Sequence, residues 1–243
     1  MSRKNRKKSN LAYDNTLHFE NIRNKTPILV PKSLAQESYV DILTDEHCKI
    51  AVTHGPAGTG KTYLAMLAAI RAYKLGQVEK IVLTRPAVGV DDEKHGFLPG
   101  DLNAKMEPWT RPLFDVLKEY YSTKEIARML EEETIEISPL AFMRGRTFKK
   151  AWIVADEMQN ATPSQMKMLL TRLGEGSKIV VTGDVKQADR SDVKNGLLNL
   201  SSLIGGHLFD EKKLNFIRSC QFSNKDIERH PAVTEVLELY GEK

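Results

Sequence analysis

Gly55-Pro56-Ala57-Gly58-Thr59-Gly60-Lys61-Thr62 is the stretch that decides the fold of this chain. It fits the pattern G-x-x-x-x-G-K-[ST], and its flanks have the required character. Upstream, Ile50-Ala51-Val52-Thr53 reads as a short buried strand. Downstream, Leu64, Leu67 and Ala68 fall at i, i+3, i+4 spacing in a helix expected from Lys61 to Leu75, stopping at Gly76. Strand, glycine-rich loop and helix together form a cradle for phosphate. Glycines let backbone N–H groups curl around the anion, and the helix N-terminus adds positive dipole. Lys61 is placed to bridge the β- and γ-phosphates of a nucleotide, and Thr62 to ligate Mg²⁺. The nucleotide-binding candidates are therefore Gly55, Pro56, Ala57, Gly58, Thr59, Gly60, Lys61 and Thr62, with the adjoining Tyr63.

Working outward, further apolar runs read as strands at Ile81-Val82-Leu83, Thr134-Ile135-Glu136-Ile137, Trp152-Ile153-Val154-Ala155 and Ile179-Val180-Val181. Helical patterns fall between most of them. Ser33 to Leu43 is one, and Thr162-Pro163-Ser164-Gln165 is a capping box that opens another, reaching Leu173 before Gly174. This alternation predicts an α/β fold with a mostly parallel sheet and helices on both faces.

Three strand ends carry polar groups besides the loop. Ala151 to Ala155 runs into Asp156-Glu157 and resembles a Walker B element, with Asp156 placed for Mg²⁺ and Glu157 for polarising an attacking water. Ile179-Val180-Val181 leads into Thr182-Gly183-Asp184-Val185-Lys186-Gln187, where Gln187 is a candidate γ-phosphate sensor. Ile81-Val82-Leu83 leads into Thr84-Arg85-Pro86. Ligands of open α/β sheets bind along that carboxyl edge.

Gln36 precedes the loop, where a carboxamide can form two hydrogen bonds with an adenine edge. Ser33-x-x-Gln36 is equally a capping box, in which Gln36 serves only its own helix. Spacing leaves both readings open. Arg85, Arg144, Arg146 and Arg229 are candidates for phosphate or RNA contact, since a guanidinium suits phosphate geometry.

Composition excludes several classes. Of 243 residues, 41% are hydrophobic and 28% charged with mixed sign, as in globular rather than disordered chains. No apolar run approaches the length of a membrane span. The formal charge of +4 owes much to Arg3, Lys4, Arg6, Lys7 and Lys8, without which 31 basic residues face 32 acidic ones. Residues 1–26 are expected to be a basic, disordered tail that solubilises the chain or attracts RNA nonspecifically. Residues 27–243 are expected to form one domain. Cys48 and Cys220 lie far apart without metal-type spacing, and the start lacks the apolar core of a signal peptide. A cytoplasmic setting follows.

These elements together resemble the PhoH family of P-loop ATPases, related to the core of superfamily-one helicases, over roughly residues 27 to 241. The resemblance rests on Gly55 through Ala65, Leu83-Thr84-Arg85-Pro86-Ala87-Val88 and Gly96-Phe97-Leu98-Pro99-Gly100-Asp101-Leu102. It continues through Pro139-Leu140-Ala141-Phe142-Met143-Arg144-Gly145-Arg146-Thr147, Asp156-Glu157-Met158-Gln159-Asn160 and Thr182 to Gln187. It implies a RecA-like core, ATP as nucleotide and a role in RNA metabolism. It favours the adenine reading of Gln36 and makes Arg229 a candidate arginine finger. Ala188-Asp189-Arg190-Ser191-Asp192 departs from the proline-containing stretch of the family. The nuclease or RNA-binding domain of some members is not carried over, because the basic tail is too short for either.

The leading expectation is a Mg²⁺-dependent ATPase coupled to single-stranded RNA. One Walker loop is half of a two-core motor, so a homo-oligomer such as a ring is expected, with Arg229 or another arginine reaching the neighbour's γ-phosphate. The alternative is a slow nucleotide-gated switch in which ATP orders Asp91 to Gly100 for a partner. A P-loop kinase ranks third, since Asp156-Glu157 and Gln187 suit attack by water.

Overall fold

The computed structural model describes residues 25–86, 102–187, 195–211, 213–228 and 231–239. Nearly all of the expected tail, the segment 91–100 invoked for the switch, the stretch 188–192 and Arg229 lie outside these described residues.

Among the described residues the strands are β1 (Ile50–His54), β2 (Lys80–Thr84), β3 (Ile135–Ile137), β4 (Ala151–Ala155), β5 (Lys178–Gly183) and β6 (Ile217–Gln221). They form one sheet in the order β3-β2-β4-β5-β1-β6, with every pairing parallel. The helices are α1 (Leu34–Thr44), α2 (Lys61–Lys74), α3 (Leu102–Tyr120), α4 (Thr123–Glu131), α5 (Pro163–Leu170), α6 (Gly196–Phe209) and α7 (Pro231–Leu239).

Strand alternation builds two cores. Ile81, Leu83, Trp152, Val154 and Val180 turn toward α1, α2, α3 and α4, where Tyr39, Leu43, Ile70, Leu117 and Ile126 are buried. Val82, Ile153, Ile179 and Val181 turn the other way, onto Leu140, Met143, Met166, Leu169 and Leu197. Burial on both faces explains why these strands read as unbroken apolar runs. Full burial of one such side chain stabilises by about 1.5–3 kcal/mol.

The expected α/β class is what the chain adopts. The largest differences are one helix end and one strand. The capping box forms in full, with Gln165 N donating to Thr162 Oγ1 at 3.2 Å and Thr162 N to Gln165 Oε1 at 2.8 Å. Its helix ends at Leu170 instead of Leu173, capped at Thr171. β6 had no counterpart among the expected strands. It is a half-exposed edge strand, Ile217-Arg218-Ser219-Cys220-Gln221, with no apolar run to betray it.

Candidate functional site

Because all six strands run the same way, β1, β2, β4 and β5 deliver their following residues to one edge. Gly55 N donates to Gly183 O at 3.2 Å, and Asp156 N to Thr84 O at 3.0 Å, so neighbouring strand ends are stitched together.

The loop itself is held tightly. Gly55 has φ +149°, and a Cβ there would lie 2.6 Å from both Cβ and the carbonyl oxygen of Phe222, just past β6. Only glycine fits. Gly60, the N-cap of α2, is left-handed at φ +78°. Lys61 is buried, and its Nζ donates to Gly55 O at 2.8 Å, Pro56 O at 2.6 Å and Thr59 Oγ1 at 3.2 Å. Burial pushes its amine below the usual lysine range, while Asp184, Asp156 and Glu157 pull it back up. His54, at the end of β1, is lowered by burial and then by Lys61.

Thr62 and Asp156 meet across the site. Thr62 Oγ1 donates to Asp156 Oδ1 at 2.8 Å, and Thr182 Oγ1 donates to the same oxygen at 2.5 Å. A hydroxyl from α2 beside a carboxylate from the end of β4 is a pair of hard oxygen donors. That suits Mg²⁺, which takes one or two protein oxygens together with phosphate and water. No cluster of three or more His, Cys, Asp or Glu able to cage a metal occurs among the described residues.

Glu157 follows in a left-handed conformation, φ +54° and ψ +36°. For a residue with a Cβ this costs about 1–2 kcal/mol and persists where surroundings over-determine it. The surroundings here are the short 3₁₀ turn Met158–Asn160, all three residues buried. Gln159, 1% exposed, donates from Nε2 to Glu157 Oε2 at 2.5 Å and accepts from Asp184 N at 3.1 Å. Sequence reasoning passed over Gln159 and Thr182 as actors, although both stood in quoted motifs. Gln187, the candidate γ-phosphate sensor, is exposed, and its backbone N–H closes a turn onto Asp184 O at 3.1 Å.

Gln36 divides between its two readings. Its backbone N donates to Ser33 Oγ at 3.2 Å, half of a capping box. The side chain does not complete the box. Nε2 donates to Thr59 O in the loop at 3.2 Å, and Oε1 accepts from Lys32 N at 2.8 Å. Tyr63 is 43% exposed and donates to Glu119 Oε2 at 3.2 Å; burial, then Glu119, pushes its phenol up to about 12.

The arginines scatter. Arg85 is half-buried at the end of β2, and Arg144 is exposed. Arg146 forks onto the Glu136 carboxylate of edge strand β3 and lies 4.5 Å over the Phe148 ring. Its guanidinium is engaged in an ion pair with the edge strand. Arg229 lies outside the described residues, but Glu228 N donates to Gly58 O at 2.9 Å. The chain entering Arg229 thus rests on its own phosphate loop. A cavity of about 420 Å³, lined by Leu43, Trp152 and Lys178 among others, opens at the amino ends of the strands. It faces away from this chemistry.

A glycine loop between β1 and α2, with Thr62 bonded to the carboxylate at the end of β4, defines a nucleotide-binding P-loop protein of the α/β class. The chain belongs to the PhoH family: the model described as "PhoH-like protein" matches residues 28–241. It is 42% identical over 240 residues to a PhoH-like protein of Bacillus subtilis, covering 98% of this chain and 72% of that one. A Mycobacterium tuberculosis PhoH-like protein is 43% identical over 227 residues, covering 93% and 61%. Protein PhoH of Escherichia coli is 40% identical over 169 residues, covering 69% and 47%. The chain therefore spans between about half and three-quarters of the length of these relatives. Among solved structures it is similar to the UvsW helicase of bacteriophage T4, at TM-score 0.46 and 13% identity over 83% of this chain and 66% of that one. It is also similar to the SWI2/SNF2 ATPase core of Sulfolobus solfataricus, at TM-score 0.42 and 12% identity over 85% and 47%. No helix among the described residues is long and apolar enough to cross a membrane.

Proposed function

We propose that this chain hydrolyses ATP at the carboxyl edge of its sheet. The observation that carries the proposal is the 2.8 Å bond from Thr62 to Asp156, which brings α2 and the end of β4 together beside Glu157. Loop N–H groups and Lys61 would hold the β- and γ-phosphates, the Lys61 ammonium exchanging the Gly55 and Pro56 carbonyls for phosphate oxygens. Thr62 and Asp156 would hold Mg²⁺, which supplies positive charge against the phosphate oxygens. Glu157 accepts a proton as water oxygen bonds to the γ-phosphorus and the bond to the β–γ bridging oxygen breaks, leaving ADP and phosphate. Gln36, beside Thr59, is assigned to the adenine edge.

Lys61→Ala should abolish nucleotide binding, whereas Glu157→Gln should bind ATP and turn it over at least about 100-fold more slowly. A Glu157→Gln protein hydrolysing at the wild-type rate overturns the proposal.

Coupling to single-stranded RNA is part of the same reading, supported by the family and by Arg85 and Arg144 lying close to this edge. Steady-state ATPase should rise on adding single-stranded RNA. One Walker loop per chain supports a homo-oligomer with an arginine supplied in trans. A strictly monomeric mass by light scattering at full activity would defeat that. Two free cysteines, Cys48 and Cys220, fit a cytoplasmic setting.

A further inference from the structure

We infer that Phe142 is a stacking platform for a base of single-stranded RNA, an inference that rests on the RNA reading of the proposed function. The short 3₁₀ turn Leu140–Met143 follows β3 at the carboxyl edge. Its inner residues Leu140 and Met143 are 1% and 0% exposed and seat the turn in the core beneath α5. Ser138 N donates to Leu83 O at 2.9 Å and Leu140 N to Arg85 O at 3.4 Å, fastening the turn to the end of β2. On this rigid seat the Phe142 ring is 62% exposed.

An isolated exposed apolar residue needs no explanation. This one has particular company. Residues 139–150 hold four basic side chains and no acidic one. Two of the four are engaged, Arg146 with Glu136 and Lys150 with Glu79. Arg144, two residues from the ring and exposed, has no ion pair among the described residues. A fixed aromatic face beside a guanidinium is what a single strand uses, one base on the ring and a phosphate on the cation. Duplex bases, stacked on one another, cannot use it.

Position adds a reason. β3 and β4 flank β2, so the turn and the Asp156-Glu157 pair follow strands two spacings apart, roughly 10 Å. A strand lying on Phe142 would pass beside the hydrolysis site.

The test is fluorescence anisotropy of a labelled 12-nucleotide oligouridylate, with an RNA duplex as control, across a salt series. Phe142→Ala should lose about tenfold in single-strand affinity, the worth of one stacked base, and Phe142→Trp should restore it. Duplex affinity, thermal midpoint and basal ATPase should stay at wild-type values in Phe142→Ala. Its salt slope should also be unchanged, whereas Arg144→Ala should shallow the slope by about 0.7 through loss of one phosphate contact. Wild-type affinity in Phe142→Ala overturns the inference while leaving RNA binding intact. Unchanged RNA affinity with an altered oligomer mass assigns the ring to a protein contact and also overturns it. A wild-type protein that binds no single strand sinks the RNA reading itself.

Discussion

Gln159 ties Glu157 to the end of β5. Its Nε2 donates to Glu157 Oε2 at 2.5 Å, and its Oε1 accepts the Asp184 N–H at 3.1 Å. A buried amide with both ends engaged leaves the Glu157 carboxylate little freedom, and the left-handed backbone at Glu157 fixes its root. The carboxylate proposed to take the proton is thereby linked to the loop 184–187 that leaves β5.

Gln159→Leu keeps the volume and removes both bonds. A hydrogen bond to a charged group is worth about 1.5–3 kcal/mol, so if its role is positioning, kcat should fall about 10- to 100-fold. ATP affinity, measured by titration calorimetry on the Glu157→Gln background, should hold within about twofold. A loss of affinity equal to the loss of kcat would mean that Gln159 only supports the fold.

Gly183→Ala reaches the same link from the other side. Its Cβ would lie 2.5 Å from Gln159 Oε1 and 2.6 Å from Leu197 Cδ2. Overpacking of this kind costs about 1–3 kcal/mol, a fall of roughly 2–12 °C in thermal midpoint for a chain of this size. The displaced amide should also lower kcat. Calorimetric melts paired with steady-state rates check both, and an unchanged kcat would detach Gln159 from catalysis.

What was legible in the sequence was local. The glycine spacing from Gly55 to Gly60, the apolar run ending in Asp156-Glu157 and the Thr162–Gln165 box each state their geometry within a few residues. What escaped depends on chain brought together from far apart. Asp184 reaches Gln159 only because β5 lies beside β4. Arg146 meets Glu136 only because the chain returns from β3 to lie beside it, a pairing ten residues apart that no motif states. β6 is stabilised by one neighbour and exposes much of its length, so its composition carries no strand pattern. Gln36 could not be resolved by spacing, because its second partner, Thr59, is 23 residues away.

At the opposite edge, Lys178 makes stability depend on pH. Its Nζ donates to the carbonyls of Ile42, Leu43 and Asp45 at 2.8, 2.6 and 3.0 Å, closing the C-terminus of α1, and it lies 5.3 Å over the Trp152 ring. Burial pushes the amine down to about 8, against the pull of Cys48 and Asp45, from an ordinary 10.5. Between these values the unfolded chain binds more protons than the folded one, so stability should rise with pH across that window. Below about 8 both states are protonated and the dependence vanishes. Thermal melts from pH 7 to 10, with Lys178→Met as reference, should show the wild-type midpoint gaining on the variant. A constant difference would contradict the assignment.

Gln36→Ala separates the two roles that spacing left open. If Gln36 serves only its helix, the backbone bond to Ser33 Oγ survives, and the change costs a degree or two of thermal midpoint with no effect on nucleotides. The side chain, however, bonds Thr59 O rather than Ser33 N, which places the carboxamide against the loop that would carry the triphosphate. Two hydrogen bonds to an adenine edge discriminate by about 1–3 kcal/mol. Competition between ATP and GTP should therefore show a wild-type preference for ATP that falls about tenfold or more in Gln36→Ala. Gln36→Glu keeps an acceptor for Lys32 N but sets a carboxylate against the Thr59 carbonyl, so it should weaken both nucleotides. Preference retained in the alanine variant would return Gln36 to a capping role.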